Sequence, residues 1–149
     1  MDRHDENTGF AKRTYISMDD AEIFRTVEEM MCEEKVFLDP NLTMDALADK
    51  MGVHRNSLSR AINRYTHKNF ASYLARYRVQ EAERLVTSSA GSKIKLSELA
   101  LKAGFSSHTP FYRAVRAIRG TTPSAAFKVL GERDNKLSNK PNKNKNQDL

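Results

Sequence analysis

Apolar residues along the chain recur at intervals of three and four, which is the spacing of one face of an α-helix. No alternation of apolar and polar residues typical of a β-strand lasts more than a few positions. In the first helical segment, which follows Ser17, the apolar face is formed by Ile23, Val27, Met30 and Met31, and acidic residues fill the other faces. The pattern predicts an all-α fold with about seven helices, the first of them acidic.

Capping residues mark the boundaries of several predicted helices. Thr43 is suited to cap a helix that runs from Met44 to Met51, and Gly52 stands where a left-handed residue would end that helix. A longer stretch from about Phe70 to Val86 keeps the helical spacing, and the Ser-rich residues 87–92 follow it. We therefore expect a linking helix and a loop in this part of the chain.

The middle of the chain contains one unit twice. In both copies an alanine, a glycine four residues later and a large apolar residue precede a second amphipathic helix, an order typical of a helix-turn-helix. The matching positions are Met44, Leu47, Ala48, Met51, Gly52 and Val53 with Leu96, Leu99, Ala100, Ala103, Gly104 and Phe105, then Leu58, Arg60 and Ile62 with Phe111, Arg113 and Val115. Two such units in tandem predict a paired DNA-binding arrangement.

Charge is unevenly distributed along the chain. Residues 42–130 hold 15 Lys and Arg against 5 Asp and Glu, whereas residues 1–41 hold 5 against 11, and the whole chain has a net charge of +6. A basic folded segment favours a polyanionic partner because phosphate contacts release condensed counterions. A basic surface that is only solvated is the alternative.

Length and composition exclude several classes of protein. At 149 residues the chain can form one compact domain or two small units that share a core. No apolar run reaches the ~18 residues of a membrane span and the polar start lacks the apolar stretch of a signal peptide, so a cytoplasmic location is predicted. The single cysteine, Cys32, excludes an intramolecular disulfide and a multi-cysteine zinc site. Because the six glycines form no phosphate-binding loop and the four histidines form no His-x-x-x-His pair, we predict no enzyme, no metal site and no cofactor.

These patterns divide the chain into five segments. Residues 1–16 are expected to be a flexible N-terminal segment, in which Tyr15 and Ile16 alone are apolar enough to dock on a core. Residues 17–68 hold the acidic helix and the first helix-turn-helix, and residues 69–92 the linking helix and its loop. Residues 93–130 hold the second helix-turn-helix and a closing helix, and the Lys- and Asn-rich residues 131–149 form a disordered tail.

Five short sequences carry a resemblance to a known family. They are LTMDALA at 42–48, RYRVQEA at 76–82, ALKAGFSS at 100–107, FYR at 111–113 and GTTP at 120–123. With them the chain resembles the AraC/XylS-type transcription regulators over residues 20–128. FLDPNL at 37–42, LSRAIN at 58–63 and NF at 69–70 are most similar to the subgroup whose DNA-binding domain ends a membrane-embedded sensor, although no sensor is recognisable in this sequence.

The resemblance implies two helix-turn-helix units joined by a rigid helix, with their recognition helices in successive major grooves about 34–36 Å apart. The implied partners are double-stranded DNA and RNA polymerase, with no membrane contact by this chain, and the oligomeric state stays open. Carried over by position, the DNA-binding residues are Arg55, Asn56, Ser59, Arg60 and Arg64 in the first recognition helix and His108, Thr109, Tyr112, Arg113 and Arg116 in the second.

Arg60 and Arg113 occupy equivalent positions of the two units, and no acid lies three or four residues from either. We expect both to contact bases, since an arginine can bridge the O6 and N7 atoms of guanine. For Arg55, Arg64 and Arg116, phosphate binding and plain solvation are both open. Base contact and solvation are likewise open for Asn56 and Ser59. Tyr112 either packs its ring on a neighbouring helix or contacts a phosphate.

The chain departs from the family pattern at several places. The Phe-Lys pair usual after each recognition-helix arginine is replaced by Ile62-Asn63 and Val115-Arg116, and the closing Tyr-Arg is replaced by Phe127-Lys128. Pro110 is also unusual. Either Thr109 is the N-cap and Pro110 the first helical residue, or Ser107 is the N-cap and Pro110 falls within the first turn.

The acidic helix is expected to stay off the DNA with its acids facing away, because carboxylates repel phosphates. Arg78 is expected to brace the linking helix and not to touch DNA. Two other function classes are weighed against sequence-specific binding. One is a nonspecific nucleic-acid-binding or protein-interaction module with no role in transcription. The other is a DNA alkyl-transfer enzyme, which would need a reactive cysteine in a dedicated motif, whereas Cys32 lies inside the acidic helix.

Overall fold

The computed structural model describes residues 14–88 and 94–128. Within these residues the fold is all-helical with no strand, as the apolar spacing predicts. Seven α-helices occur in this part of the chain: α1 (Asp20–Glu29), α2 (Met44–Met51), α3 (Arg55–Thr66), α4 (Phe70–Ser88), α5 (Leu96–Lys102), α6 (His108–Arg119) and α7, described over 123–128. Most of the predicted N-terminal segment, most of the loop after α4 and the whole predicted tail lie outside the described residues.

The α1 helix begins with a reciprocal cap. The Asp19 carboxylate accepts a hydrogen bond from the backbone N–H of Glu22 at 2.8 Å, and the Glu22 carboxylate accepts one from the backbone N–H of Asp19 at 3.1 Å. The predicted apolar face is confirmed, since Ile23, Val27, Met30 and Met31 are all buried. A π-helical turn (Met30–Glu34) and a 3-10 turn (Val36–Leu38) then lead the chain towards α2.

The expectation that the acids of α1 face away is wrong for Glu28. Its carboxylate accepts hydrogen bonds from the phenols of Tyr73 at 2.6 Å and Tyr77 at 2.9 Å, both on α4. Burial, together with the bond to Glu28, raises the pKa of Tyr73 well above its ordinary value, so this phenol stays a donor. Asp20, the first residue of α1, also points inward and is buried against α3. Two carboxylates of the acidic helix therefore tie it to the rest of the protein.

The two helix-turn-helix units, α2 with α3 and α5 with α6, share one turn geometry. The turn glycine has a positive φ in each, 74° at Gly52 and 102° at Gly104. The residue after each glycine donates its backbone N–H to the carbonyl of the alanine four positions before that glycine, at 3.1 Å in the first unit and 3.0 Å in the second. The sequence repeat is therefore a structural repeat.

In the first unit the predicted cap of α2 is confirmed, whereas Tyr15 and Ile16 are not packed into a core as expected. Thr43 caps α2, its hydroxyl accepting from the backbone N–H of Ala46 at 3.0 Å. Ile16 does not enter the core and lies on the first turn, where its backbone N–H donates to the Gly52 carbonyl at 2.7 Å. Tyr15 lies beside it, with its ring centroid 4.1 Å from that of His54. Residues 15 and 16 thus dock on the turn and stay largely exposed.

Each unit has its own core, and α4 contributes to both. The first half of α4 supplies Tyr73 and Leu74 to the core of the first unit, and the second half supplies Val79 and Ala82 to the core of the second. The helix runs for 19 residues and extends two residues past the predicted end at Val86. Because one continuous helix is packed into both cores, it sets the orientation of one unit relative to the other.

Arg78 of α4 braces the junction between the units, as predicted. Its guanidinium donates to the carbonyl of Phe37 at 2.7 Å and to that of Asp39 at 2.8 Å, and lies 5.8 Å from the ring centroid of Phe105. Gly104 approaches the same place so closely that a Cβ on it would overlap the Phe37 carbonyl oxygen. The segment before α2 and the turn before α6 are thereby held together through one arginine.

Candidate nucleic-acid interface

The predicted DNA-binding residues all lie on the second helices of the two units, α3 and α6, and all of them are exposed. In α3 the inward side is formed by Leu58, Ala61 and Ile62, which are fully buried. The outward residues of α3 are Arg55, Asn56, Ser59, Arg60 and Arg64, and those of α6 are His108, Thr109, Tyr112, Arg113 and Arg116. The helical period that buries one face thus presents the candidate residues together on the other.

Two arginines of α3 share one carboxylate. The Nε of Arg60 donates to Oδ1 of Asp20 at 3.2 Å, and one Nη of the same side chain lies 3.2 Å from that oxygen. Arg64 donates from an Nη to Oδ2 of Asp20 at 3.1 Å. The hydrogen bond from Arg60, together with that from Arg64 and opposed by burial, lowers the pKa of Asp20 below its ordinary value. The carboxylate is 9% exposed and lies beneath two guanidinium groups that are 61% and 67% exposed.

Arg55, at the start of α3, forms a different kind of ion pair. Its Nε lies 2.8 Å from Oδ1 of Asp45 on α2, and both side chains are more than half exposed. Exposed pairs of this kind add little to stability, since water screens the attraction. The Arg55 guanidinium is therefore held loosely, at the surface between α2 and α3.

The arginines of the second unit have different surroundings. Arg113 and Arg116 form no ion pair with any carboxylate among residues 14–88 and 94–128. Arg119, at the end of α6, instead makes two hydrogen bonds to the Glu83 carboxylate on α4, one of them at 2.8 Å. Glu83 raises the pKa of Arg119 through these bonds. The second recognition helix is thus anchored at its C-terminal end and not through its outward arginines.

The start of α6 decides between the two placements of Pro110. Ser107 is the N-cap residue with extended backbone, the helix begins at His108, and Pro110 is its third residue. The alternative in which Thr109 caps the helix is therefore wrong. A proline is tolerated here because the N–H groups of the first helical turn have no partner within the helix. Both His108 and Thr109 are exposed in this first turn.

Tyr112 keeps both of its predicted roles open. Its side chain is 40% exposed, and its ring centroid lies 6.1 Å from that of His108 one turn earlier. The ring therefore covers part of the helix start while the side chain still reaches solvent.

An open cleft lies between the two units along α4. Five basic side chains line it and none of its lining residues is acidic. Arg55 comes from α3, Lys68 from the turn after α3, Arg76 and Arg78 from α4, and Arg113 from α6. The cleft therefore joins one candidate arginine of each recognition helix through a basic surface.

Sequence reasoning missed three residues of this surface. Lys68 contributed only to the total charge, and Arg76 only to the RYRVQEA sequence at 76–82, because nothing in their spacing links them to either recognition helix. Asp20 was missed because only acids three or four residues from Arg60 were considered, whereas Asp20 lies forty residues earlier. Lys68 and Arg76 are placed on the cleft, and Asp20 beneath Arg60 and Arg64, by the packing of separate helices.

Other kinds of site find no support in the described part of the chain. No group of three or more His, Cys, Asp or Glu residues there is arranged to hold a metal ion. Cys32 is exposed on the turn after α1. Among the helices of residues 14–88 and 94–128, none combines the length and apolar character needed to cross a membrane.

Comparison with known proteins identifies the same architecture elsewhere. The C-terminal domain of AraT, a response regulator from Geobacillus stearothermophilus, is similar with a TM-score of 0.62 and 23% identity, covering 72% of this chain and 84% of that chain. The C-terminal domain of the two-component response regulator yesN from Fusobacterium nucleatum is similar with a TM-score of 0.59 and 19% identity. The match covers 74% of this chain and 98% of that chain. The DNA-binding domain of AdpA, a global transcriptional factor solved in complex with a target DNA, is similar with a TM-score of 0.59 and 22% identity. The match covers 78% of this chain and 96% of that chain. No curated protein matches the chain.

The family itself is shown by the sequence. The model of the helix-turn-helix domain family matches residues 47–128, which is more than half of the chain and spans α3 to α7 together with most of α2. These are the residues that form both repeated units, both exposed recognition helices and the helix between them. The chain therefore belongs to the AraC-type helix-turn-helix family of DNA-binding transcription regulators.

Proposed function

We propose that this protein binds double-stranded DNA sequence-specifically and regulates transcription, with α3 and α6 in successive major grooves on one face of the duplex. One observation carries the proposal. Two helices that follow equivalent turns, α3 and α6, present exposed polar and basic residues, and a basic cleft lies between them. The AdpA domain, which has this fold, was solved with its target DNA, and its likeness supports the same kind of partner here.

The exposed residue types suit recognition in a major groove. Arginine can donate to guanine O6 and N7, asparagine can pair with adenine N6 and N7, and hydroxyl groups serve either bases or phosphates. We assign base contact first to Arg60 and Arg113, one on each recognition helix. Lys68 and Arg76, which line the cleft, are assigned to phosphates, which position a protein on DNA without reporting its sequence.

The linking helix supports the expected spacing of the two contacts. A helix of 19 residues is about 28 Å long, at 1.5 Å per residue. This length is comparable to one turn of duplex, ~34 Å, which separates successive major grooves on one face. Because the Arg78 contacts hold the units together, both recognition helices are presented as one body.

The remaining partners follow from this proposal. A regulator of transcription acts where the genome and RNA polymerase are, so we propose a cytoplasmic location and RNA polymerase as a second partner. Recognition of this kind needs no catalytic group and no cofactor, and none is proposed.

Selection of bound sequences from random duplexes at fixed salt tests the proposal. We expect two enriched elements about one helical turn apart, and an affinity for the selected duplex at least ~10³-fold above that for a shuffled duplex of equal composition. A ratio near one would instead identify a nonspecific nucleic-acid coat. Absence of binding to either duplex would leave only a protein-interaction module.

A further inference from the structure

Asp20 occupies an unusual place for an acid near a DNA-binding surface. It is the first residue of α1, it is 9% exposed, and both of its oxygens face the recognition helix α3. An unpaired carboxylate there would repel phosphates. Two arginines cover it, so Asp20, Arg60 and Arg64 together carry one net positive charge where the two arginines alone would carry two.

The orientation of the Arg60 guanidinium decides what remains available to a ligand. Its Nε–H donates to Asp20, and one Nη atom lies 3.2 Å from the same carboxylate oxygen. An arginine has five N–H donors, and one N–H of each Nη points outward at the end of the group away from the chain. That end carries the two Nη atoms, which form the pair of donors that fits guanine O6 and N7. Asp20 therefore occupies the side of the guanidinium and leaves its outer end free.

The second unit has no such arrangement among the described residues. Arg113 is the equivalent of Arg60, and no described carboxylate pairs with it. The position equivalent to Arg64, 53 residues later, is Ala117. Among the described residues, a carboxylate shared by two arginines is thus found at α3 and not at α6.

We propose that Asp20 is a positioning residue for base recognition by the first unit. It stays bonded to Arg60 in the DNA complex, holds the outer end of that guanidinium towards a guanine, and lowers the attraction of Arg60 and Arg64 for phosphates on any sequence. This inference rests on the proposed sequence-specific binding and adds to it a residue that does not touch DNA. Fixing a flexible side chain before binding favours the specific complex because less freedom is lost on association.

The near-isosteric Asp20→Asn variant tests the inference. Freed from the carboxylate, Arg60 and Arg64 should bind phosphates of any duplex, so nonspecific affinity should rise and the slope of log K against log salt should steepen by about one to two. The ratio of specific to nonspecific affinity should fall roughly three- to tenfold, the range expected when one or two side chains lose their fixed position. The loss of preference should be confined to the base pair that Arg60 contacts.

Glu29→Gln is the matched control. Glu29 lies on the same helix and is exposed, so its replacement removes one negative charge without disturbing the arginines. The Glu29→Gln variant should keep the sequence preference of the wild type and its slope of log K against log salt. If Asp20→Asn raises affinity for every sequence and keeps the preference, Asp20 is an inhibitory contact and not a positioning one. If Asp20→Asn weakens folding and leaves both preference and salt slope unchanged, Asp20 only fastens α1, and the proposal is overturned.

A second measurement uses the wild-type protein and does not depend on how the variant folds. In NMR spectra of the complex with the selected duplex, the Arg60 Nε–H should remain hydrogen-bonded to the Asp20 carboxylate. A hydrogen bond from that N–H to DNA in place of Asp20 would contradict the proposal. If the wild type selects no sequence at all, the proposed function itself fails. If it selects one and the Asp20 bond is lost in the complex, only this inference fails.

Discussion

At the scale of single residues, the two units use their arginines differently although their backbones match. Arg60 shares Asp20 with Arg64, while Arg113 has no such partner among the described residues. This difference was not predictable from sequence, because a contact between α1 and α3 depends on how those helices pack. Three residue-scale predictions follow from these surroundings and from the turn glycines.

Replacing Arg60 or Arg113 by alanine should relax the preference for one base pair in the element bound by that unit. A bidentate contact to guanine contributes about 1–3 kcal/mol of discrimination. Arg64→Ala is the comparison: if Arg64 contacts a phosphate, its loss weakens binding to all sequences alike and lowers the salt slope by about one. Selection of bound sequences with each variant separates the roles. If Arg60→Ala and Arg113→Ala weaken all sequences equally, both are backbone anchors.

Acid should remove the stabilising effect of Asp20. Its pKa is lowered in the folded protein, mainly by the hydrogen bond from Arg60, so its contribution is present above the unfolded value near 3.8 and is lost as the pH falls through the lower folded value. Asp20→Asn should therefore have a lower Tm than the wild type at pH 7, and the difference should shrink below about pH 4. Thermal unfolding followed by circular dichroism measures the Tm of the two proteins at each pH. A difference that is constant with pH would exclude a charged contact.

Three glycines have a positive φ in the described part of the chain, and they should respond differently to replacement by alanine. Gly120 (φ +73°) has open space around it, so Gly120→Ala should cost only the backbone strain, about 1 kcal/mol. Gly52→Ala adds a close approach to the flexible Ile16 side chain and should cost slightly more. Gly104→Ala would overlap a backbone oxygen of Phe37 and should cost more than ~3 kcal/mol. Chemical denaturation should rank the losses in free energy of unfolding in this order. Equal losses at all three sites would contradict the close approach of Gly104 to Phe37.

At the scale of elements, apolar spacing predicted the helices well because each buries one continuous face. The caps at Thr43 and Gly52, the repeat and the linking helix all follow from local residue types, and all are confirmed. Sequence was weaker where two helices meet. Glu28 was expected to face away with the other acids of α1 because carboxylates repel phosphates, yet it is bonded to two tyrosines of α4.

The Glu28 contact predicts how α1 is fastened. Glu28→Gln should weaken two hydrogen bonds from phenols to a charged acceptor. It should lower the free energy of unfolding by about 1.5 kcal/mol, the lower end for bonds to a charged group, because the site is only half-buried. Glu29→Gln, one residue further along and exposed, should change it by less than ~0.5 kcal/mol. Urea unfolding of the two variants compares them directly. Equal stability would show that α1 is held by its apolar face alone.

At the scale of the whole molecule, the central claim is that the two units act as one body on one face of the duplex. The single helix α4 enters both cores, and Arg78 joins the turn regions across the junction. Since the basic cleft runs between the recognition helices, the units are expected to contact DNA together.

Changing the spacing within the selected DNA site tests this claim most directly. Five base pairs inserted between the two enriched elements turn the second major groove to the opposite face of the duplex, since one helical turn is about 10–10.5 base pairs. A rigid pair of units cannot follow, so affinity measured by fluorescence anisotropy at fixed salt should fall far below that for the unaltered site, towards the level of a shuffled duplex. Unchanged affinity for the five-base-pair insertion would contradict the account, because the units would then move independently or only one of them would bind.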